Sequence, residues 1–229
     1  MPRYALYLVP PASHPLWATG NAWLGRDPAA PPATWGPPPP LRREPWRYGF
    51  HATLKAPLRL APGHTEASLL DATRSLADAH APFDMPPLAV SWLAGFLSLR
   101  PQPDPAPHEP LRELADDAVR RLDPGRAPWT EAERARYVRP DHSPRQRAQA
   151  ERWGYAHVLD DWRCHFTLSD PVAGGDAQAL HAAAQAHFAP ALAVPLRCTE
   201  LALYLEPAPG DPFALWQRLP LHGPAVSGT

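Results

Sequence analysis

Apolar and polar positions alternate with period two from Tyr4 to Val9, which predicts a strand that stops at Pro10-Pro11. Residues 27–45 carry Pro28, Pro31, Pro32, the run Pro37 to Pro40 and Pro45, and predict a long stiff loop. A strand is predicted over Arg47 to Pro57, centred on Phe50-His51-Ala52-Thr53-Leu54-Lys55. Thr65-Glu66 opens a helix to about His80, with Leu69, Leu70, Leu76 and Ala77 on its apolar face. Leu88 to Leu99 predicts two strands or one bent strand, with Gly95 at the bend. The segment 101–110 reads as a stiff proline-rich connector, and Leu111 to Leu122 as a helix. Thr130-x-x-Glu133 has the form of a capping box, and Ser143-Pro144 that of an N-cap followed by proline, opening a helix to about Trp153. A strand region follows from His157 to Ser169, then a helix capped by Asp176 and running to Phe188. Strands over Leu196 to Leu205 and Phe213 to Leu219 close the chain.

Two segments repeat in the same order. Phe50 to Pro57 matches Cys164 to Pro171 at an offset of 114, and Leu88 to Pro101 matches Val194 to Pro207 at an offset of 106. Each copy reads strand, helix, strand. A duplication of this kind predicts an α+β fold of two pseudo-symmetric lobes, with antiparallel sheets facing a central cleft and helices outside. The motif lobes would span about 46–101 and 157–220 of a single domain, with a proline-rich and helical insert over 102–156.

Within the repeat lie His51/Thr53 and His165/Thr167. With 11 histidines and 9 threonines in 229 residues, chance predicts about 0.4 His-x-Thr, against the two present. On a strand, residues i and i+2 share a face, so each motif presents an imidazole beside a hydroxyl. Two such pairs facing each other place two imidazoles and two hydroxyls around one phosphoryl group. One imidazole can accept a proton from water while the other protonates the leaving oxygen. The hydroxyls hold the non-bridging oxygens. This reading involves no metal and no cofactor. Cys164 falls on the opposite strand face from His165, which predicts a buried core thiol.

Lys55 continues the face of His51 and Thr53, and Arg163 that of His165; both are candidate phosphate contacts. Tyr48 is a candidate ligand contact near the first motif. Six arginines lie within 134–152, and Arg145 is the candidate among them to reach a substrate from the insert. The other nine histidines lack a matching partner pattern and read as structural or solvated.

Composition narrows the partners. Net charge is −1, which fits a small phosphorylated substrate or a short RNA end and argues against long nucleic acid. Two cysteines 34 residues apart form no zinc-like grouping. No apolar run approaches a membrane span, and neither a signal peptide nor a membrane contact is expected; the expected location is cytoplasmic. The sequence says nothing of oligomeric state. The motifs GxSxG, HExxH, CxxC, GxGxxG and the P-loop are absent.

The duplicated His-x-Thr motif resembles the 2H phosphoesterases. The context Arg47-Tyr-Gly-Phe-His-Ala-Thr-Leu-Lys-Ala-Pro57, the opening Arg3-Tyr4-Ala-Leu-Tyr and Trp153-Gly154-Tyr155 resemble a bacterial branch associated with phosphonate-utilisation genes. The resemblance implies a phosphoric diester hydrolase, acting through His51 and His165 on a cyclic phosphate of ribose or of a nucleotide. Two other readings stay open: a non-catalytic module that binds RNA ends or phosphorylated metabolites, and chemistry like that of the RNA 2′-5′ ligases.

Overall fold

Five of the seven α-helices in the described residues open on a side-chain cap. The computed structural model describes residues 1–103 and 108–224, so part of the expected 101–110 connector lies outside the described residues. In chain order the elements are β1 (Arg3–Leu8), α1 (Pro15–Leu24), α2 (Arg43–Tyr48), β2 (Ala52–Leu58), α3 (Glu66–Ala79), β3 (Phe83–Asp84), β4 (Leu88–Leu93), β5 (Phe96–Pro101), α4 (Glu109–Leu122), α5 (Glu131–Tyr137), α6 (Pro144–Trp153), β6 (Phe166–Pro171), α7 (Gly175–Leu192), β7 (Arg197–Cys198), β8 (Glu200–Glu206) and β9 (Ala214–Pro220). Reciprocal caps open α3 (Thr65 with Ser68), α5 (Thr130 with Glu133) and α6 (Ser143 with Gln146). Helix α7 starts earlier than expected: Gly174 is its N-cap, and Asp176 sits inside the first turn, where its charge favours the helix dipole. The strand expected from Arg47 begins only at Ala52, because Arg47 and Tyr48 close α2 and Gly49 turns the chain at φ 80°. Likewise the strand expected from His157 begins at Phe166, after a single 3₁₀ turn over Leu159–Asp161. Helix α1 was not anticipated. Its signal is Pro15 just inside the start and Gly25 in the left-handed conformation just past the end.

The sheets are antiparallel, with strand orders β2-β1-β8-β9 and β4-β5-β6, and a two-stranded ribbon of β3 and β7. The two motif strands, β2 and β6, thus lie in different sheets. The lobes, however, are not the contiguous segments 46–101 and 157–220. Strand β4 follows β2 in sequence but joins the sheet of β6, and β8 follows β6 but joins the sheet of β2. Counted outward from each motif strand, β1 corresponds to β5, and β4 to β8. The repeat unit is therefore strand, strand, helix, strand, with the last strand exchanged between sheets. The 106-residue offset, which matches β5 with β8, is not the structural correspondence. The ribbon pairs Phe83 with Cys198 and Asp84 with Arg197, immediately before the exchanged strands.

The core fills the space between the motif strands. Phe50 and Phe166, both 0% exposed, stack with ring centroids 5.1 Å apart, and Phe188 of α7 lies 6.0 Å from Phe50. Helix α1 approaches so closely that a Cβ on Gly20 would lie 2.3 Å from the Phe50 ring, so only glycine fits there. Cys164 and Cys198 are buried free thiols, each pushed up to about 12 by burial. Among the described residues no helix is long and apolar enough to cross a membrane.

Candidate active site

His51 and His165 each stand one residue before a motif strand, on a turn anchored by the core rings beside them. The local geometry repeats. His51 Nδ1 lies 2.9 Å from the carbonyl of Gly49, and His165 Nδ1 lies 2.7 Å from the carbonyl of Arg163. A carbonyl only accepts, so Nδ1–H is the donor in both rings. In the neutral ring the free lone pair is then on Nε2. His51 Nε2 receives the Thr53 hydroxyl at 3.2 Å.

Tyr7 of β1 stacks on His51 with centroids 3.6 Å apart and planes 22° apart, while Tyr48 and Tyr204 lie 6.3 and 6.4 Å away. These rings fix the imidazole plane and strip water from it. Burial, opposed by the Gly49 hydrogen bond and reinforced by the charges of His165 and Arg26, pushes the His51 pKa down to about 3. His165 is also lowered, first by burial, with Arg100 and His157 adding to it and the Arg163 carbonyl opposing it. His165 is thus among the charged groups that act on His51, from the other motif strand.

A cavity of about 200 Å³ opens beside His165, lined by His165, Thr53, Arg163, His157, Tyr155 and Trp162 among others; His51 is not one of its lining residues and adjoins it through Thr53. Thr53 on β2 and His165 before β6 thus face the same space. Trp162 Nε1 donates to the Thr53 carbonyl at 2.8 Å and ties the wall to β2. Arg163 is steadied by donating to the carbonyls of Asp160 and Trp162, and it is one of the residues that line the cavity. Asp161 on the same wall is neutralised by Arg145, through contacts of 2.5 and 2.9 Å. Arg145 therefore reaches the cavity rim by way of Asp161. Thr167 is half-buried on β6, paired with Ser98 of β5, and is not one of the cavity-lining residues. Tyr48 sits behind His51, stacked on Phe213.

Lys55 is corrected. Its side chain is 2% exposed, and Nζ donates to Asp123 Oδ1 at 2.8 Å and to the carbonyls of Val119 and Trp153, both at 3.2 Å. All three ammonium hydrogens are used, so none is left for a phosphate. The bulged pairing of β1 with β2 between Leu6–Lys55 and Tyr7–Thr53 breaks the alternation that predicted a shared face. Two residues were missed. Tyr7 gave no signal, since its neighbours on β1 are equally apolar. His157 was read as structural or solvated, yet it lines the cavity; its ring lies 5.6 Å from Tyr155 and 5.8 Å from His142. Other histidines are structural as expected: His14 and His108 cap helices, and His187 bonds the Thr19 carbonyl. Among the described residues, no three His, Cys, Asp or Glu side chains converge as a metal site.

His51 gives a direct test. It stays neutral down to about pH 3, so its ring signals in an NMR titration are expected to stay flat from pH 8 to 5. A midpoint near 6.5 would refute the burial argument. The sign for stability follows. In the unfolded chain the ring protonates near 6.5, so the unfolded state binds more protons between there and about 3. Folding therefore loses stability as pH falls through that window.

A match to the family described as protein of unknown function (DUF1045) spans residues 53–214. Two curated relatives are named ribose 1,5-bisphosphate phosphokinase PhnN. The one from Janthinobacterium sp. (strain Marseille) is 38% identical over 97% of this chain and 51% of its own length. The one from Laribacter hongkongensis (strain HLHK9) is 39% identical over 93% of this chain and 50% of its own. The chain spans about half the length of these relatives. A crystal structure of E. coli LigT complexed with 3'-AMP aligns over 96% of this chain and 99% of that one, at 19% identity and a TM-score of 0.44. Since the family match covers well over half of its residues, the chain belongs to the DUF1045 family.

Proposed function

We propose that this protein is a phosphodiesterase that opens a cyclic phosphate, carried on ribose or on a nucleotide, through two histidines and without a metal ion. The observation that carries this reading is the matched anchoring of the two imidazoles. Each Nδ1–H is spent on the carbonyl two residues back, and Nε2 of each ring is left for chemistry.

Water attacks phosphorus in line with the ring ester oxygen. His51, neutral across the physiological range, takes the water's proton on Nε2. His165, protonated once the anionic substrate is bound, gives its Nε2 proton to the departing oxygen as the P–O bond breaks. The product is a phosphomonoester beside a free hydroxyl, and proton exchange with solvent resets both rings. The Thr53 hydroxyl, which bonds His51 in the free site, turns to a non-bridging oxygen, with Thr167 as its counterpart on β6. Arg163 supplies positive charge on the cavity wall, and Tyr48 fixes the His51 side.

A small sugar phosphate is favoured over an RNA end. Net charge is −1, and the relatives' names contain a ribose phosphate. The phosphokinase in those names finds no GxxxxGK[ST] loop in this sequence. The resemblance to a phosphonate-associated branch points to the same substrate class.

A phosphorus NMR assay in EDTA, over 2′,3′-cyclic nucleotides and ribose 1,2-cyclic phosphate, tests the proposal. Ring opening by the wild type is expected, with the ribose compound preferred. Binding of the panel with no opening would make the cleft a recognition site and overturn it.

A further inference from the structure

We propose that Asp170 and Arg26 are positioning residues that hold His51 in register with His165, using α2 as a strut between the two motif strands. The inference rests on the two-histidine reading.

Asp170 lies on β6, five residues beyond His165. Its carboxylate accepts from the backbone N–H groups of Arg43 at 2.9 Å and Glu44 at 2.8 Å, the first turn of α2. Its own N–H donates to the Leu41 carbonyl at 2.7 Å. Leu41 is held at φ 61°, a conformation that leucine keeps only where its surroundings impose it. The N-terminal end of α2 is therefore clamped to the His165 strand.

The C-terminal end is clamped to His51. Arg26, 4% exposed, donates to the carbonyls of Trp46, Arg47 and Phe213, with its guanidinium over the rings of Trp35 and Trp46. No carboxylate pairs with it among the described residues; its buried charge is met by the Trp46 and Arg47 carbonyls at the end of α2 and by the Phe213 carbonyl just before β9. Gly49 closes the helix by donating to Pro45 and Trp46, and its own carbonyl then takes the His51 Nδ1–H. One hydrogen-bonded chain thus runs from the His165 strand through Asp170, α2, Arg26 and Gly49 to the His51 ring. Trp23, donating from α1 to the Leu168 carbonyl, braces the same strand. Neither Asp170 nor Arg26 lines the cavity, so neither is assigned contact with substrate.

The test is Asp170→Ala, read in two ways. In nitrogen-15 NMR of the folded variant, His51 is expected to lose its single Nδ1–H tautomer while His165 keeps its own. With a cyclic phosphate, kcat is expected to fall about a hundredfold, as for a misplacement of about 1 Å, with KM changed less than about threefold. Asp170→Ser, which can still cap one amide, is expected to recover part of kcat. Should Asp170→Ala not fold, Asp170→Asn gives the same readouts. A folded variant with the wild-type His51 tautomer overturns the strut. If the wild type opens no ring, the two-histidine reading fails, and the NMR result still decides the strut.

Discussion

His165→Ala lowers the rate of cyclic phosphate opening by roughly 10²- to 10⁴-fold, the range for removing a general acid or base. The side chain is on the cleft wall and not in the core, since the rings that hold the fold here are Phe50 and Phe166, so the variant is expected to keep its thermal stability. A donor is needed only where the leaving oxygen is a poor leaving group. A nitrophenyl diester, whose leaving group departs without a proton, is therefore expected to recover most of the loss in His165→Ala and little of it in His51→Ala. Because the two histidines serve one transition state, the double variant is expected to lose little more than either single one. Less than a tenfold loss in His165→Ala, or equal recovery in both variants, would show that the assignment of donor and acceptor is wrong.

The largest stability effect is expected at Asp123→Ala. This carboxylate joins Lys55 of β2 at 2.8 Å to Arg126 at 2.8 Å and Arg152 at 3.0 Å. Removing it leaves the Lys55 ammonium buried with only two carbonyls. Breaking one side of a buried ion pair costs about 3–5 kcal/mol. Urea unfolding measures this, and a loss below about 1 kcal/mol would mean that the pair relaxes into solvent. Lys55→Met combined with Asp123→Leu is expected to restore part of the stability, since the buried ammonium is gone while Arg126 keeps its bond to the Arg152 carbonyl. The pH dependence has a definite sign. Burial raises the Asp123 pKa, but bonds from Arg126 and Lys55 outweigh it and hold the group below its usual value. Its contribution is therefore present above the ordinary carboxylate range and lost as pH falls through the lower folded value. Burial pushes Lys55 down to about 8, opposed by Asp123. Folding is thus expected to gain stability as pH rises from about 8 toward 10.5, where only the folded chain has released that proton.

Lys55 also shows where strand periodicity stops serving as a guide. Reading i, i+2 and i+4 as one face assumes an unbroken ladder, and β2 carries register shifts against β1 on both sides of Leu6. His51 and Thr53 precede the shift and keep their common face; Lys55 follows it and turns toward α4. His157 illustrates the opposite case. Its side chain reaches the cavity because an irregular segment between α6 and β6 folds over His165, and irregular backbone has no period from which a direction can be read.

The sequence alone determined the duplicated motif, its association with two strands, the caps that open α3, α5 and α6, and the apolar residues that back each histidine. These are local properties: a strand has period two, a helix has caps, and both are written in residues a few positions apart. Only the tertiary structure decided which strands pair. Any apolar strand of suitable length satisfies a sheet edge, so the exchange of β4 and β8 between sheets leaves no mark in either repeat. The same holds for the histidine environment. Tyr7 over His51, Arg26 behind it and Asp170 across α2 come from segments 44, 25 and 119 residues away, and their effect is one of distance in space, which chain order does not encode.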